Sequence, residues 1–363
     1  MSPCFVMGRD IVIGDIHGCL AELEALLERV ELRDEDRVIS VGDLVDRGPD
    51  SVGVWELFRA RDNAVALMGN HERKHVRGVL SYSQEIVRLQ FGPRYAAFRQ
   101  WAAALPYFLE TPDAIIVHGG FEAGVPLAEQ REDVLAGTTS GTRHLEGLYG
   151  ERYWTELYSG DKPIVFGHHV VGDSIRVWND RVYGLDTGAC HGQALSALVL
   201  PSFERVSVPA ARDYWAQERQ RWQVAVLRSR AWPTFSAKKL RRERDALARR
   251  SDDAELAQFT AALDAWLAEV DALVPALLDR VGARREQLRA CFDDRSRRAE
   301  VAAEPFASLL FACHAGALDA ASIGQQLTTP AAIVDAARAY GVDTGEASER
   351  AERLFQTEGA GLP

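Results

Sequence analysis

Short runs of nearly continuous apolar residues alternate, over the first two hundred positions, with stretches in which apolar residues recur every third or fourth place. The runs DIVIG (10–14), RVISVG (37–42), AVALMG (64–69), AIIVHG (114–119) and PIVFGH (163–168) are rich in β-branched residues, and glycine stands beside a polar residue at or just past their ends. Such runs predict buried strands, each with a functional loop at its C-terminal end. Between them LAELEALLERV (20–30) keeps Leu20, Leu23, Leu26, Leu27 and Val30 at helical spacing, and SVGVWELFRA (51–60) predicts a second helix. Alternation of this kind predicts a layered α/β fold. RVWNDRVYGLD (176–186) and ALSALVLP (194–201) predict a closing meander.

After Pro209 the pattern changes. Eight of the nine histidines precede it and only His314 follows, while Ala, Leu, Arg and Glu dominate and β-branched runs disappear. The stretch 256–281 predicts a long amphipathic helix with a kink or break at Pro275. Further helices are predicted over 304–318 and 329–342, the latter started by Thr329-Pro330 and stopped by Gly341. The chain therefore divides into an α/β domain, 1–208, and an all-α accessory domain, 209–363, whose role the sequence leaves open.

Composition narrows the class. A length of 363 residues suits two domains, and 47% hydrophobic residues supply ample core. No apolar run approaches the ~20 residues that span a bilayer, and the N-terminal MSPCFVMGRD has no leader-like apolar stretch. The five cysteines, Cys4, Cys19, Cys190, Cys291 and Cys313, are odd in number and form no CxxC pair, which fits reduced thiols in a cytoplasm. The net charge of −11 argues against a dedicated nucleic-acid binder, but residues 212–250 carry twelve basic against four acidic side chains. With Trp215, Trp222 and Trp232 interleaved, that segment could hold RNA by charge and stacking. The plainer reading is a solvated helix face.

The chemistry lies at the strand ends. Asp15 and His17 sit in GDIHG, Asp43, Asp46 and Arg47 in GDLVDRG, Asn70, His71 and Glu72 in GNHE, His118 in HGG, and His168 and His169 in GHH. In open α/β sheets, ligands gather outside the carboxyl ends of strands, so these five clusters should converge. Carboxylate, imidazole and amide oxygen without thiolate suit Mn, Fe, Zn or similar divalent ions. Two such ions can clamp the attacking and leaving oxygens of an in-line displacement. Their mutual repulsion requires a bridging carboxylate, for which Asp43 is the natural candidate.

GDIHG, GDLVDRGPDS, GNHE, HGG and FGHH, in this order over residues 10–200, resemble the calcineurin-like metallophosphoesterases, in particular the compact bacterial form of the phosphoprotein phosphatase branch. LDTGACHGQALSALVL (185–200) is similar to the closing segment of bacterial members. The resemblance implies a β-sandwich flanked by helices and two divalent metals, Mn foremost, with Fe, Zn or Ni as alternatives. It implies that Asp15 and His17 bind the first metal, Asp43 bridges, and Asn70, His118 and His168 bind the second. His168, rather than the adjoining His169, aligns with the family ligand. Arg47 and Asn70 would bind phosphoryl oxygens, and His71 would protonate the leaving oxygen with Asp46 orienting it. The implied reaction is one in-line attack by a metal-bridging hydroxide. Members usually add a second phosphate-binding arginine, for which Arg143 and Arg152 are the candidates, although RYWTELY (152–158) departs from the family's Trp-x-Arg pattern. Asp186 is either a group near the metals or a turn residue.

Three substrates share this core: phosphoserine or phosphothreonine in proteins, dinucleoside polyphosphates, and RNA 3′-phosphate or 2′,3′-cyclic ends. Asp46 favours the first and third, because the tetraphosphatase branch typically replaces it; a serine/threonine protein phosphatase is the expectation. Arg73, Lys74, His75 and Arg77 would form a basic rim suited to any polyanion. A non-catalytic scaffold is the remaining alternative, and the complete ligand set argues against it.

Overall fold

The computed structural model describes residues 8–249 and 253–355; Cys4 and Arg250 lie outside them. The chain divides into two compact units between Trp222 and Gln223. The first contains ten strands: β1 (Asp10–Ile13), β2 (Arg37–Ser40), β3 (Ala64–Ala66), β4 (Phe108–Glu110), β5 (Ile115–Val117), β6 (Ile164–Phe166), β7 (Arg176–Trp178), β8 (Val182–Gly184), β9 (Ala194–Leu200) and β10 (Glu204–Pro209). They form two five-stranded mixed sheets, ordered β10-β9-β1-β2-β3 and β4-β5-β6-β8-β7. β1, β2 and β3 run parallel in one sheet, and β5, β6 and β8 run parallel in the other. The helices of this unit are α1 (Leu20–Arg29), α2 (Ser51–Ala60), α3 (Asn70–Arg77), α4 (Tyr82–Phe91), α5 (Tyr95–Ala102), α6 (Glu132–Leu135), α7 (Thr139–Tyr149) and α8 (Tyr214–Arg221).

Successive strand residues point to opposite faces, and here both faces are buried. Val12, Ile39, Ile116, Val165 and Leu198 meet between the sheets, with Leu67 and Leu185 from the strand ends. Their neighbours Ile11, Ile13, Val38 and Val199 pack outward against Leu23, Leu26, Trp55, Phe91 and Phe98. On the second sheet Ile115, Val117, Ile164 and Phe166 pack outward against Leu135 and Trp154. Double burial is why the runs read as continuous rather than alternating. Each such side chain contributes ~1.5–3 kcal/mol on burial, so the strand positions are firmly fixed and their polar C-terminal residues with them. The sequence pattern did not reveal β4 or β10. Both are edge strands, half-buried or exposed along most of their length, and so lack the doubly apolar signature. α8 joins this unit through Tyr214, whose hydroxyl donates to Glu22 Oε1 at 2.7 Å.

The second unit is helical: α9 (Gln223–Arg228), α10 (Ala237–Ala248), α11 (Ala254–Gln287), α12 (Arg289–Asp293), α13 (Arg298–Ala302), α14 (Ala307–His314), α15 (Ala320–Gln326), α16 (Pro330–Ala339) and α17 (Gly345–Leu354). Asp253 caps α11 by accepting from Glu255 and Leu256 N–H groups. The predicted break at Pro275 does not occur; α11 continues through it. Leu263, Trp266 and Val270 before the proline join one apolar cluster, and Leu277 and Val281 after it join another, so packing on both sides holds the helix together. Thr329 caps α16 through the Ala332 N–H at 3.2 Å, and Gly341 follows it at φ +72°, as the sequence signals. Trp222 and Trp232 are buried, and their indoles donate to Glu218 and to the Leu227 carbonyl. These two offer no platform for bases, while Trp215 is half-buried with its ring tilted against Tyr82. Arg242 and Arg244 pair with Glu243 and Asp264. Among the described residues no helix is long and apolar enough to cross a membrane.

Pro275 is exposed and deprives the Asp271 carbonyl of its helical donor. Pro275→Ala should therefore stabilise the helical unit by ~1–3 kcal/mol, read as a shift of its urea transition to higher denaturant. An unchanged or lowered midpoint would show that the proline fits α11 without cost.

Candidate active site

Every polar cluster singled out in the sequence follows a parallel strand. Asp15 and His17 follow β1, Asp43, Asp46 and Arg47 follow β2, Asn70 and His71 open α3 after β3, His118 follows β5, and His168 follows β6. The ends of both sheets thus supply one centre. The backbone there is strained: His17, Asp43, Asp46, Arg47 and His168 all take left-handed φ, between 48° and 76°. Each such residue costs ~1–3 kcal/mol and must be held by its surroundings. Two glycines permit the close approach. A Cβ on Gly69 would stand 2.1 Å from Asp43 Oδ1, and one on Gly167 would stand 2.0 Å from Asp15 Oδ1.

Asp43 is the hub. Its Oδ1 lies 3.4 Å from His118 Nε2, and its Oδ2 lies 3.7 Å from His17 Nε2 and 3.8 Å from His71 Nε2. Asn70 Oδ1 lies 3.1 Å from His118 Nε2 and 3.0 Å from His168 Nδ1. The ligating atoms of His17, Asp43 and His71 fall within 4.8 Å of one another, as do those of Asp43, His118 and His168. One carboxylate therefore faces two separate nitrogen groups, one with each oxygen. Asp15 is less central: its oxygens accept the His168 N–H at 2.9 and 3.1 Å, and His71 rather than Asp15 completes the closer group with His17.

The charges fit divalent cations. Burial, reinforced by Asp186 and Asp43, raises the Asp15 carboxyl well above its ordinary range. Burial likewise pushes Asp186 up to about 6, so it belongs to this centre electrostatically while also accepting the Gly188 N–H. Asp15, Asp43 and Asp186 thus form a buried acidic cluster with Arg47 as the cation facing it. Burial lowers the imidazoles of His17, His118 and His168, the last to about 2, so they stand neutral with lone pairs available. The Val45 carbonyl fixes His17 Nδ1 at 2.9 Å, which turns Nε2 inward, the usual outer-sphere support of a metal-binding imidazole. Neutral imidazoles, an amide oxygen and otherwise repelling carboxylates make a donor set that divalent ions would satisfy.

Beside this set stands a buried imidazole–carboxylate pair. His71 Nδ1 meets Asp46 Oδ2 at 2.5 Å, leaving Nε2 toward the centre, where the Arg47 guanidinium donates to it and to His17 Nε2. Burial alone would raise the Asp46 carboxyl, but His75 and His71 hold it far below the carboxylate range. His75 is the correction to the predicted basic rim. It is fully buried, with Nε2 3.0 Å from Asp46 Oδ1 and Nδ1 3.0 Å from the Tyr95 hydroxyl. Arg73 is buried as well. Gln84 completes the surroundings of Asp46, donating to Oδ2. Gln84 carries no signal of this role in the sequence, and His75 was assigned to the basic rim rather than to Asp46. The spacing of His71 and His75, four apart on one helix, is the signal that could have found His75.

Glu72 was also without a role. Its buried carboxylate accepts the N–H groups of Asp43 (2.9 Å), Leu44 (2.9 Å) and Gly69 (3.1 Å), tying the β2 loop to the start of α3. Burial and Asp43 together push its pKa up to about 8. Arg152 lines a cavity beside His168, whereas Arg143 stands exposed on α7 and does not line it. His169 accepts or donates at Nδ1 with the Tyr153 hydroxyl, 2.5 Å away, outside the ligand groups. Cys19 and Cys190 are packing thiols in the core, and burial pushes Cys190 up to about 12.

Residues 9–190, half of the chain, match the family model described as calcineurin-like phosphoesterase, and the chain belongs to that family of metallophosphoesterases. Among curated relatives it is 30% identical over 244 residues to a Bacillus cereus protein named bis(5′-nucleosyl)-tetraphosphatase PrpE [asymmetrical], covering 57% of this chain and 96% of that one. An Anoxybacillus flavithermus protein of the same name is 30% identical over 243 residues, with 57% and 96% covered. The crystal structure of a metallophosphoesterase from Sphaerobacter thermophilus is 19% identical with a TM-score of 0.38, covering 58% of this chain and 93% of that one.

Glu72→Ala would leave three buried N–H groups without an acceptor, at ~1–3 kcal/mol each. The unfolding free energy of the first unit should fall by ~3 kcal/mol or more, and Glu72→Gln, which keeps one acceptor oxygen, should lose less. Equal losses in chemical denaturation would show that Glu72 acts through its charge rather than through these bonds.

Proposed function

We propose that this metal-dependent phosphoester hydrolase acts on dinucleoside polyphosphates, with two divalent ions, Mn foremost, held by Asp15, His17, Asp43, Asn70, His118 and His168. The observation that carries the substrate reading is a cavity of about 190 Å³ opening beside His168. It is lined by Tyr153, Trp154, Leu145 and Val134 together with His169 and Arg152. Trp154 is buried, and its Nε1 has no hydrogen-bond partner. Aromatic and aliphatic walls with a spare donor, the Arg152 cation and the Glu146 carboxylate suit a nucleobase whose phosphates reach the metal-ligand cluster. The relatives named as bis(5′-nucleosyl)-tetraphosphatases support the same substrate class. The free thiols of Cys19, Cys190 and Cys291 support a reducing, cytoplasmic setting.

When bound, the ions supply Lewis-acid polarisation of phosphoryl oxygens and acidify water. The chain's own groups do the rest. Arg47 presents a planar fork at the mouth of the centre, suited to two phosphoryl oxygens at once. Arg152 lies where it can meet a neighbouring phosphate. His71 would pass a proton from Nε2 to the leaving oxygen once a bound phosphate draws Arg47 away from that nitrogen, and Asp46, buried and ionised, keeps the ring oriented through Nδ1. His75, Tyr95 and Gln84 hold Asp46 in turn.

The His71–Asp46 pair itself favours a second reading, a serine/threonine protein phosphatase, because an alkoxide leaving group demands protonation more than a phosphate does. A panel of diadenosine tetraphosphate, a phosphoserine peptide and RNA with 3′-phosphate or 2′,3′-cyclic ends, assayed with Mn²⁺, separates the classes. Diadenosine tetraphosphate should give the highest kcat/KM, and Tyr153→Ala should lower it ~10-fold, or ~1.4 kcal/mol, chiefly through KM. Faster turnover of the phosphopeptide, indifferent to Tyr153, would overturn the nucleotide reading in favour of the second.

A further inference from the structure

α3 continues past the catalytic centre as a basic strip. Asn70 opens the helix, Arg73 follows one turn later on the same side, and Arg77 one turn after that. At ~1.5 Å rise per residue, Arg73 and Arg77 stand ~4.5 and ~10.5 Å beyond Asn70 along the axis. Both line an open cleft of about 480 Å³, together with Arg131, Glu132, Asp133 and Ser140.

Arg73 is the anomaly. Its exposure is 9%, and its Nε is buried with no hydrogen-bond partner. Among the described residues no carboxylate forms an ion pair with it. Asp133 is the nearest candidate, but Arg131 already holds both Asp133 oxygens, at 3.1 and 3.2 Å. Glu132 is exposed. The buried Nε forgoes a hydrogen bond, at ~1–3 kcal/mol, and Asp133 acts on Arg73 only through space while the rest of the side chain lines the open cleft. Such a group in the wall of a cleft fits an anion that arrives from outside.

The cleft shares both its walls with the metal-ligand cluster. On one side α3 carries Asn70 and His71 at its start and Arg73 and Arg77 further along. On the other, the segment that bears Asp133 and Ser140 also places Gly137 against the His168 ring, where a Cβ would stand 2.8 Å from Cγ. A ligand anchored at the centre through one phosphoryl group would find the next cation along α3.

We propose that Arg73, with Arg77, forms a subsite for a phosphoryl group of the substrate other than the one hydrolysed. The subsite rests on the polyphosphate reading above and extends it. Three arginines against two carboxylates leave the cleft a net cation. A monophosphate would engage Arg47 and leave Arg73 unmet, whereas a chain of phosphates reaches both.

The test uses inorganic tripolyphosphate and orthophosphate, each titrated calorimetrically into the full-length protein with and without Mn²⁺. Arg73→Gln should weaken tripolyphosphate ~10-fold while changing orthophosphate less than ~2-fold. Because buried Arg73 could also support the fold, exposed Arg77→Gln is the second variant and should weaken tripolyphosphate ~3-fold or more with orthophosphate unaffected. Unchanged tripolyphosphate affinity in both variants, or equal loss of the two anions in both, would overturn the subsite. Failure of the substrate reading looks different: diadenosine tetraphosphate would go unhydrolysed while tripolyphosphate binding still depended on Arg73.

Discussion

Asp43 is buried between two groups of imidazole nitrogens, a placement that divalent cations on its two sides would satisfy. One of its oxygens looks toward His118 and the other toward His17 and His71. Asp15 and Asp186 add further negative charge in the same buried space. Much of the surrounding architecture serves to keep this arrangement in place. Two sheets bring strand ends together, Glu72 ties the β2 loop to α3, and packing holds five non-glycine residues in left-handed conformations. Stability is given up at the centre and recovered in the doubly buried strands. A divalent cation would turn the repulsion among the carboxylates into coordination.

The same economy explains the acid–base pair. Asp46 is buried yet ionised because His71, His75 and the Gln84 amide surround it. Its carboxylate can therefore orient His71 without itself taking up the proton. Val134 and Gly137 line the cavity beside His168, and Glu132, Asp133 and Ser140 of the same stretch of chain line the cleft beside Arg73. One is aromatic and apolar, the other cationic.

The strands, and the polar residues that the fold brings together at their ends, were legible in the sequence because their signals are local. A continuous apolar run ending in glycine and a polar residue marks a doubly buried strand with a loop at its tip, and five such tips carried Asp15, Asp43, Asn70, His118 and His168. What remained hidden depends on contacts distant in sequence. Glu72 reads as an ordinary helix residue until its carboxylate is seen to gather the N–H groups of Asp43, Leu44 and Gly69. Gln84 and Tyr95 belong to later helices and reach Asp46 and His75 only through the tertiary fold. Pro275 was read as a breaker because propensity is local, whereas the apolar clusters on either side of it are not. Asp46 was read as a sign against the tetraphosphatase branch, yet the curated relatives bear that name; one position is too little to fix a substrate.

The sharing of Asp43 is tested most directly by metal stoichiometry. Chelated protein titrated with Mn²⁺ and followed calorimetrically should take up two ions per chain, and Asp43→Asn, which keeps the shape but removes the charge, should weaken both sites together. Two ions in the wild type with only one weakened in the variant would contradict a bridging role for Asp43, and a single ion in the wild type would contradict a two-metal centre.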